Sequence, residues 1–167
     1  MGKLIVVKND PVEGTDKHNV TGIGPNPAAP PPTATYKGIG DFDYVGKITD
    51  QLSDFVSING KALALTTSKS SLNPGETGTG GKHFGAQGKN FVVAPGSIAT
   101  TPTTATLSIT DQIGEGKPSA NAGSTFVKID GVAILLDGDK IDTCDGIGQL
   151  MNSTVTVENQ DFVFCSE

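Results

Sequence analysis

F-V-S-I-N-G-K-A-L-A-L at residues 55–65 and F-V-K-I-D-G-V-A-I-L-L at 126–136 are two copies of one phrase. Phe55 matches Phe126, Val56 matches Val127, Ile58 matches Ile129 and Gly60 matches Gly131; Ala62 and Leu65 recur as Ala133 and Leu136. Each copy is two β-rich runs joined at Asn59-Gly60 or Asp130-Gly131. Those dipeptides accept positive φ at both central positions of a type I′ turn, whose twist matches the flanking strands. The repeat therefore predicts hairpins that build a pseudo-symmetric, all-β body. Residues 153–159, S-T-V-T-V-E-N, echo S-T-F-V-K-I-D at 124–130 and offer a degenerate third copy.

The rest of the composition suits that body. The 167 residues fit a single domain. With 22 Gly, 10 Pro, no Trp and 5% aromatic residues, the chain is rich in turns and poor in bulky filler. Such a pattern belongs to a sandwich, barrel or solenoid-like body. A net charge of −6 opposes binding to a phosphate backbone or an anionic membrane surface. No run of 18 apolar residues is present, so no helical span is expected. Lys3 is followed by only four apolar residues, too few for a secretory leader, and they read as a first strand. Synthesis in the cytoplasm is the expectation, with the sequons at Asn19 and Asn152 as chance matches. In a reducing compartment the two cysteines are free thiols or metal ligands.

Along the chain, residues 3–7 form the first strand and 12–24 a polar, Gly-containing stretch around His18. Residues 25–33, P-N-P-A-A-P-P-P-T, read as a surface loop of extended polyproline form, because proline has no N–H for a ladder. Residues 35–50 suggest a strand pair around Gly38-Ile39-Gly40, and 47–54 are the best helical candidate, though very short. Residues 66–90 and 111–124 read as long polar loops, 91–94 and 97–110 as short strands. T-V-T-V at 154–157 and F-V-F-C at 162–165 read as a last strand pair.

His18, His83, Cys144 and Cys165 are the only histidines and cysteines. Imidazole nitrogen and thiolate sulfur suit tetrahedral zinc, and a Cys₂His₂ set would be closed and structural. The spacing is not that of a zinc finger, so four distant loops would have to converge. Scattered residues with no shared role are the other reading, and spacing alone does not choose between them. G-E-T-G-T-G-G-K-H at 75–83 imitates a phosphate loop but lacks its required Gly and Ser/Thr positions. Asp137, Asp139, Asp142 and Asp145 miss the calcium-loop pattern and read as solvated turn carboxylates. No nucleophile motif or triad context appears.

V-K-I-D-G-V-A-I-L-L-D-G-D-K-I-D-T-C-D-G at 127–146, with V-S-I-N-G-K-A-L-A-L at 56–65, resembles the PAAR-repeat proteins. G-T-D-K-H-N at 14–19 is similar to the histidine-bearing region near the start of that family. The clear matches cover about a third of the chain; the Pro-rich segment at 25–33 and the long loops depart from the pattern. The resemblance implies a small pseudo-threefold cone, with one structural zinc near its apex, that caps the trimeric VgrG-like spike of a contractile injection system. It places His18 and Cys144 at ligand positions, His83 as a third ligand from the middle loop, and Cys165 as the fourth. It makes the chain non-enzymatic, present as one copy per spike, with Asn59, Gly60, Asp130 and Gly131 at the docking base. Effector cargo and transient contact with a target membrane would follow, in a particle of type VI or extracellular phage-tail-like kind. Physics suits the role. A point has little apolar core, and a closed metal site there supplies folding free energy on the order of 10 kcal/mol. Open strand edges at the base are covered by strand continuation onto the spike. The alternatives are a metal-dependent β-rich hydrolase, which needs an open metal position, and a carbohydrate-binding adhesive module, which the low aromatic content opposes.

Overall fold

Two tight hairpins stand where the repeated phrases lie. The structure, a computed structural model, describes residues 2–25, 33–72, 88–95, 106–111, 114–144 and 147–166. Its strands in chain order are β1 (Lys3–Leu4), β2 (Pro11–Pro25), β3 (Thr33–Asp50), β4 (Ser57–Ile58), β5 (Lys61–Ala62), β6 (Lys69–Leu72), β7 (Lys89–Val93), β8 (Thr106–Ile109), β9 (Glu115–Pro118), β10 (Lys128–Ile129), β11 (Val132–Ala133), β12 (Lys140–Thr143), β13 (Ser153–Val155) and β14 (Phe164–Cys165). The fold is all-β, and among the described residues no helix is long and apolar enough to cross a membrane. β4 pairs with β5 and β10 with β11. Their turns carry positive φ throughout: 51° and 72° at Asn59-Gly60, 49° and 82° at Asp130-Gly131. The type I′ reading of the dipeptides therefore holds.

The third copy of the hairpin is not at 153–159. It is split between the two ends of the chain: β14 pairs antiparallel with β1, Lys3 opposite Cys165 and Leu4 opposite Phe164. In this register Phe162-Val163 takes the place of Phe55-Val56 and Phe126-Val127, and Cys165 takes the place of Ile58 and Ile129. Residues 153–155 instead form β13, between β12 and β2. T-V-T-V and F-V-F-C are accordingly not partners of each other.

Three tripeptides follow the three hairpins: Ile5-Val6-Val7, Leu63-Ala64-Leu65 and Ile134-Leu135-Leu136. Their backbones close a triangle. Val6 donates to the Leu135 carbonyl at 3.0 Å, Leu135 to Ala64 at 3.0 Å, and Ala64 to Val6 at 2.9 Å. Bridges between Ile5 and Leu136, Val7 and Leu63, and Leu65 and Ile134 complete it. All three central residues are fully buried, so their polar groups need such partners, and the cycle supplies them. The sequence caps each corner in the same way. Asp10, Ser68 and Asp139 accept the N–H of Val7, Leu65 and Leu136 at 2.8, 2.9 and 2.8 Å. Alternation then divides the core at this plate. Val6, Ala64 and Leu135 join one apolar cluster, with Val12, Tyr44, Ile48, Leu72, Ile141 and Val155. Their neighbours join a second, basal cluster with Ile58 and Cys165.

Above the plate, β2, β3, β6, β9, β12 and β13 pair in sequence, and β13 returns to β2. The six strands close into a ring, so within the ring every strand is paired on both sides. The β2–β3 hairpin then runs on beyond the ring. Its far half is flanked by β8 at Val20–Ile23 and β7 at Gly38–Asp41. A third cluster there packs Val20, Tyr36, Phe42 and Ile109, with Phe91 edge-on to Tyr36 and Phe42 at 6.4 and 6.3 Å.

This long hairpin overturns several expectations. Residues 12–24, a polar, Gly-containing stretch to which the sequence assigns no element, form most of β2. Residues 33–50 are one strand rather than a pair, and 47–50 are strand rather than helix; Gln51, at φ 52°, ends it. Glycine hid the alternation. On β3 the inward positions include Tyr36, Gly38, Phe42, Tyr44, Gly46 and Ile48. A Cβ on Gly46 would lie 2.5 Å from the Ser71 carbonyl and 2.6 Å from the Tyr44 ring; one on Gly38 would lie 2.2 Å from the Val92 carbonyl. The glycines make room for neighbouring strands and rings, so they occupy apolar-face positions without looking apolar. The stretch 111–124 is likewise not all loop, since β9 lies inside it. Most of the Pro-rich run and the phosphate-loop imitation lie outside the described residues.

Candidate metal centre

β2 carries V-x-G-x-D-x-H-x-V from Val12 to Val20, and a strand turns alternate side chains to one face. Asp16 and His18 therefore point inward with Val12 and Val20, and both are fully buried. Cys144 follows β12 directly, in the left-handed region at φ 47°, with its N–H on the Glu115 carbonyl at 2.9 Å. This turns its thiol into the same space. One ligand atom from each of Asp16, His18 and Cys144 lies within 4.8 Å of the others. The cluster sits at the junction of the barrel cluster, which includes Cys144, and the far cluster, whose Phe42 meets the His18 ring edge-on at 5.4 Å.

Each ligand is oriented by a neighbour. Asp111 accepts from His18 Nδ1 at 2.7 Å. The other Asp111 oxygen accepts the Asn19 N–H and Nδ2 at 2.9 and 3.0 Å. A carboxylate can only accept, so it holds the ring proton on Nδ1 and leaves the Nε2 lone pair facing the cluster. Nε2 is 4.0 Å from Asp16 Oδ2. The second Asp16 oxygen is held by Thr143 Oγ1 and Asn152 Nδ2, and Thr143 Oγ1 also meets Ser153 Oγ at 2.7 Å. A carboxylate behind an imidazole and hydroxyl and amide donors behind a carboxylate are what second-shell groups of a metal site provide.

Electrostatics point the same way. Burial pushes the Asp16 carboxyl above its usual range, partly offset by hydrogen bonds from Cys144 and Thr143. Burial pushes the Cys144 thiol far up as well, and the Asp16 charge adds to the shift. Two acids that resist ionisation side by side are relieved by a cation, which stabilises both anions at once. The N, O and S donor set suits a borderline-soft divalent ion. These three residues can hold a metal ion. Asp16 and His18 are fully buried and Cys144 nearly so.

The structure brings together two of the four residues expected from the sequence, His18 and Cys144. Cys165 is set apart in the basal cluster, where it replaces the Ile of the other two hairpins and contacts Ser124 Oγ at 3.4 Å. Its place is that of a small core residue. His83 lies outside the described residues. The acidic group at 137–145 is not a set of solvated turn carboxylates. Asp137 accepts the Val157 N–H, Asp139 caps Leu136 and Gly123, and Asp142 is buried on Ser119 and the Met151 N–H; Asp145 is outside the described residues. Asn59, Gly60, Asp130 and Gly131 are exposed at two hairpin tips.

Sequence reading missed Asp16 and Asp111. Asp16 had a signal: it stands two residues before His18 in a period-two pattern whose other members are Val and Gly. Asp111 had none, since 92 residues separate it from the Asn19 N–H that it accepts. No protein-family model, curated protein or solved structure matches the chain.

Proposed function

We propose that the protein is a non-enzymatic, metal-stabilised tip that caps the homotrimeric β-helical spike of a contractile injection system. The observation that carries this reading is the Val6–Leu135–Ala64 triangle with its three hairpins. One chain presents a pseudo-threefold base, and such a base complements a threefold partner as a single copy. The PAAR-like phrase at 127–146 agrees, because its hairpin, capping Asp139 and metal-directed Cys144 fall within one continuous stretch.

In this reading one zinc ion is held by Asp16, His18 and Cys144, with His83 as the fourth ligand. Asp111 orients His18; Thr143 and Asn152 orient Asp16. The ion supplies charge neutralisation and cross-links β2 to the end of β12. Burial of Asp16, His18 and Cys144 among the described residues favours this reading over the hydrolase alternative, which needs an open metal position. The test is co-expression with the trimeric spike protein of the same genome, followed by metal analysis of the purified complex. Co-purification with one equivalent of zinc supports the reading. Failure of the chain to associate with the trimer removes its partner half, and absence of bound metal removes its zinc half.

A further inference from the structure

Three phenylalanines occupy equivalent positions around the pseudo-threefold axis and face solvent. Phe55, Phe126 and Phe162 are 68%, 73% and 53% exposed. Each precedes a valine whose N–H is accepted by the side chain three residues before it: Ser53 for Val56, Ser124 for Val127 and Gln160 for Val163, at 3.1, 3.0 and 2.9 Å. The rings thus precede three backbone N–H groups that are held by analogous local side-chain bonds. Val56 and Val163, one residue on, turn inward against the basal cluster. Scattered exposed apolar residues are ordinary. The same aromatic residue exposed at all three corners of a repeat is not scattered, and large aromatics are the typical anchors of binding surfaces.

We propose that Phe55, Phe126 and Phe162 are three anchors that seat this chain in three equivalent apolar sockets, one on each protomer of a homotrimer. The proposal rests on the spike-tip reading and adds the residues that carry affinity. Threefold repetition selects the occupant: a partner must offer the same socket three times about one axis to engage all three rings. Charge disfavours a lipid surface. Asp54 and Asp161 are exposed directly beside Phe55 and Phe162, and the chain carries −6. The third corner is broader, since Phe164 is 58% exposed where the other hairpins place Ser57 and Lys128.

The experiment measures binding of the full-length chain to the purified spike trimer of the same genome, and to vesicles of phosphatidylcholine with phosphatidylglycerol. The variants are F55S, F126S, F162S and the triple substitution. The rings are more than half exposed, so the variants should keep the parent's melting temperature, which is checked first. Each single change is expected to weaken trimer binding about tenfold, and the triple change to abolish it. A folded triple variant that binds the trimer like the parent overturns the anchors and leaves the spike-tip reading standing. A parent chain that ignores the trimer overturns both. A parent chain that binds vesicles through these rings, or self-associates through them, instead of binding the trimer also overturns the proposal. Should the triple variant unfold, the three single variants decide by the same criteria.

Discussion

Asp16, His18 and Cys144 owe their convergence to one strand parity and one left-handed residue. Asp111 makes a prediction at this scale. D111N keeps an acceptor oxygen near Nδ1 but removes the charge that favours the oriented imidazole. It should weaken metal binding roughly 10–100-fold while the metal-free chain melts close to the parent, because Asp111 acts through the His18 ring and is not itself one of the clustered ligands. Competition with a chromophoric chelator reads the affinity, and cobalt substitution reads the ligand field; an unchanged affinity would remove Asp111 from the site. The acids make a second prediction. Burial raises both groups, so the metal-free Cys144 is a thiol at neutral pH and gives up its proton when metal binds. Affinity should then rise with pH, by about tenfold per unit for one displaced proton. Calorimetry in buffers of different ionisation enthalpy counts the protons released; a count of zero at pH 7 would contradict thiolate ligation.

At the scale of elements, the hairpin turns and the long β2–β3 pair behave differently under substitution. Gly60 and Gly131 have positive φ and open space around a notional Cβ, so G60A should cost only the left-handed penalty, about 1–2 kcal/mol. Gly46 has ordinary φ but no space, so G46V should prevent closure of β3 against β6 and lose cooperative unfolding in thermal melts. Tolerance of G46V with an unchanged melt would refute the close approach. The contrast also explains what the sequence could reveal. Turn chemistry is local, so Asn59-Gly60 and Asp130-Gly131 were readable. The hairpin at Lys3–Leu4 and Phe164–Cys165 has no turn dipeptide, and its strands come from opposite ends of the chain, so the third copy was sought at 153–159. β2 went unassigned and β3 was read as two strands instead of one, because Gly14, Asp16, His18, Gly38 and Gly46 stand on the inward face where apolar residues are expected. The candidate metal site was half readable: His and Cys are rare enough here to attract notice, whereas Asp16 and Asp111 are two aspartates among many.

At the scale of the whole molecule, the triangle of Val6, Ala64 and Leu135 ties the three hairpins into one plate. The chain ends belong to one of those hairpins, with Cys165 paired to Lys3. A circular permutant should therefore fold. Joining Glu167 to Met1 and opening the chain between Asn59 and Gly60 exchanges one corner of the triangle for another. Its melting temperature should stay within a few degrees of the parent's, and loss of a cooperative transition would count against the pseudo-threefold equivalence. On the proposed spike-tip reading, the same equivalence would set one chain per threefold partner, since one chain already supplies all three corners. Native mass spectrometry of the complex with the spike trimer tests this most directly. The account predicts a mass of three spike chains, one copy of this chain and one zinc ion. Three copies per trimer, or a complex that carries no metal, would contradict it.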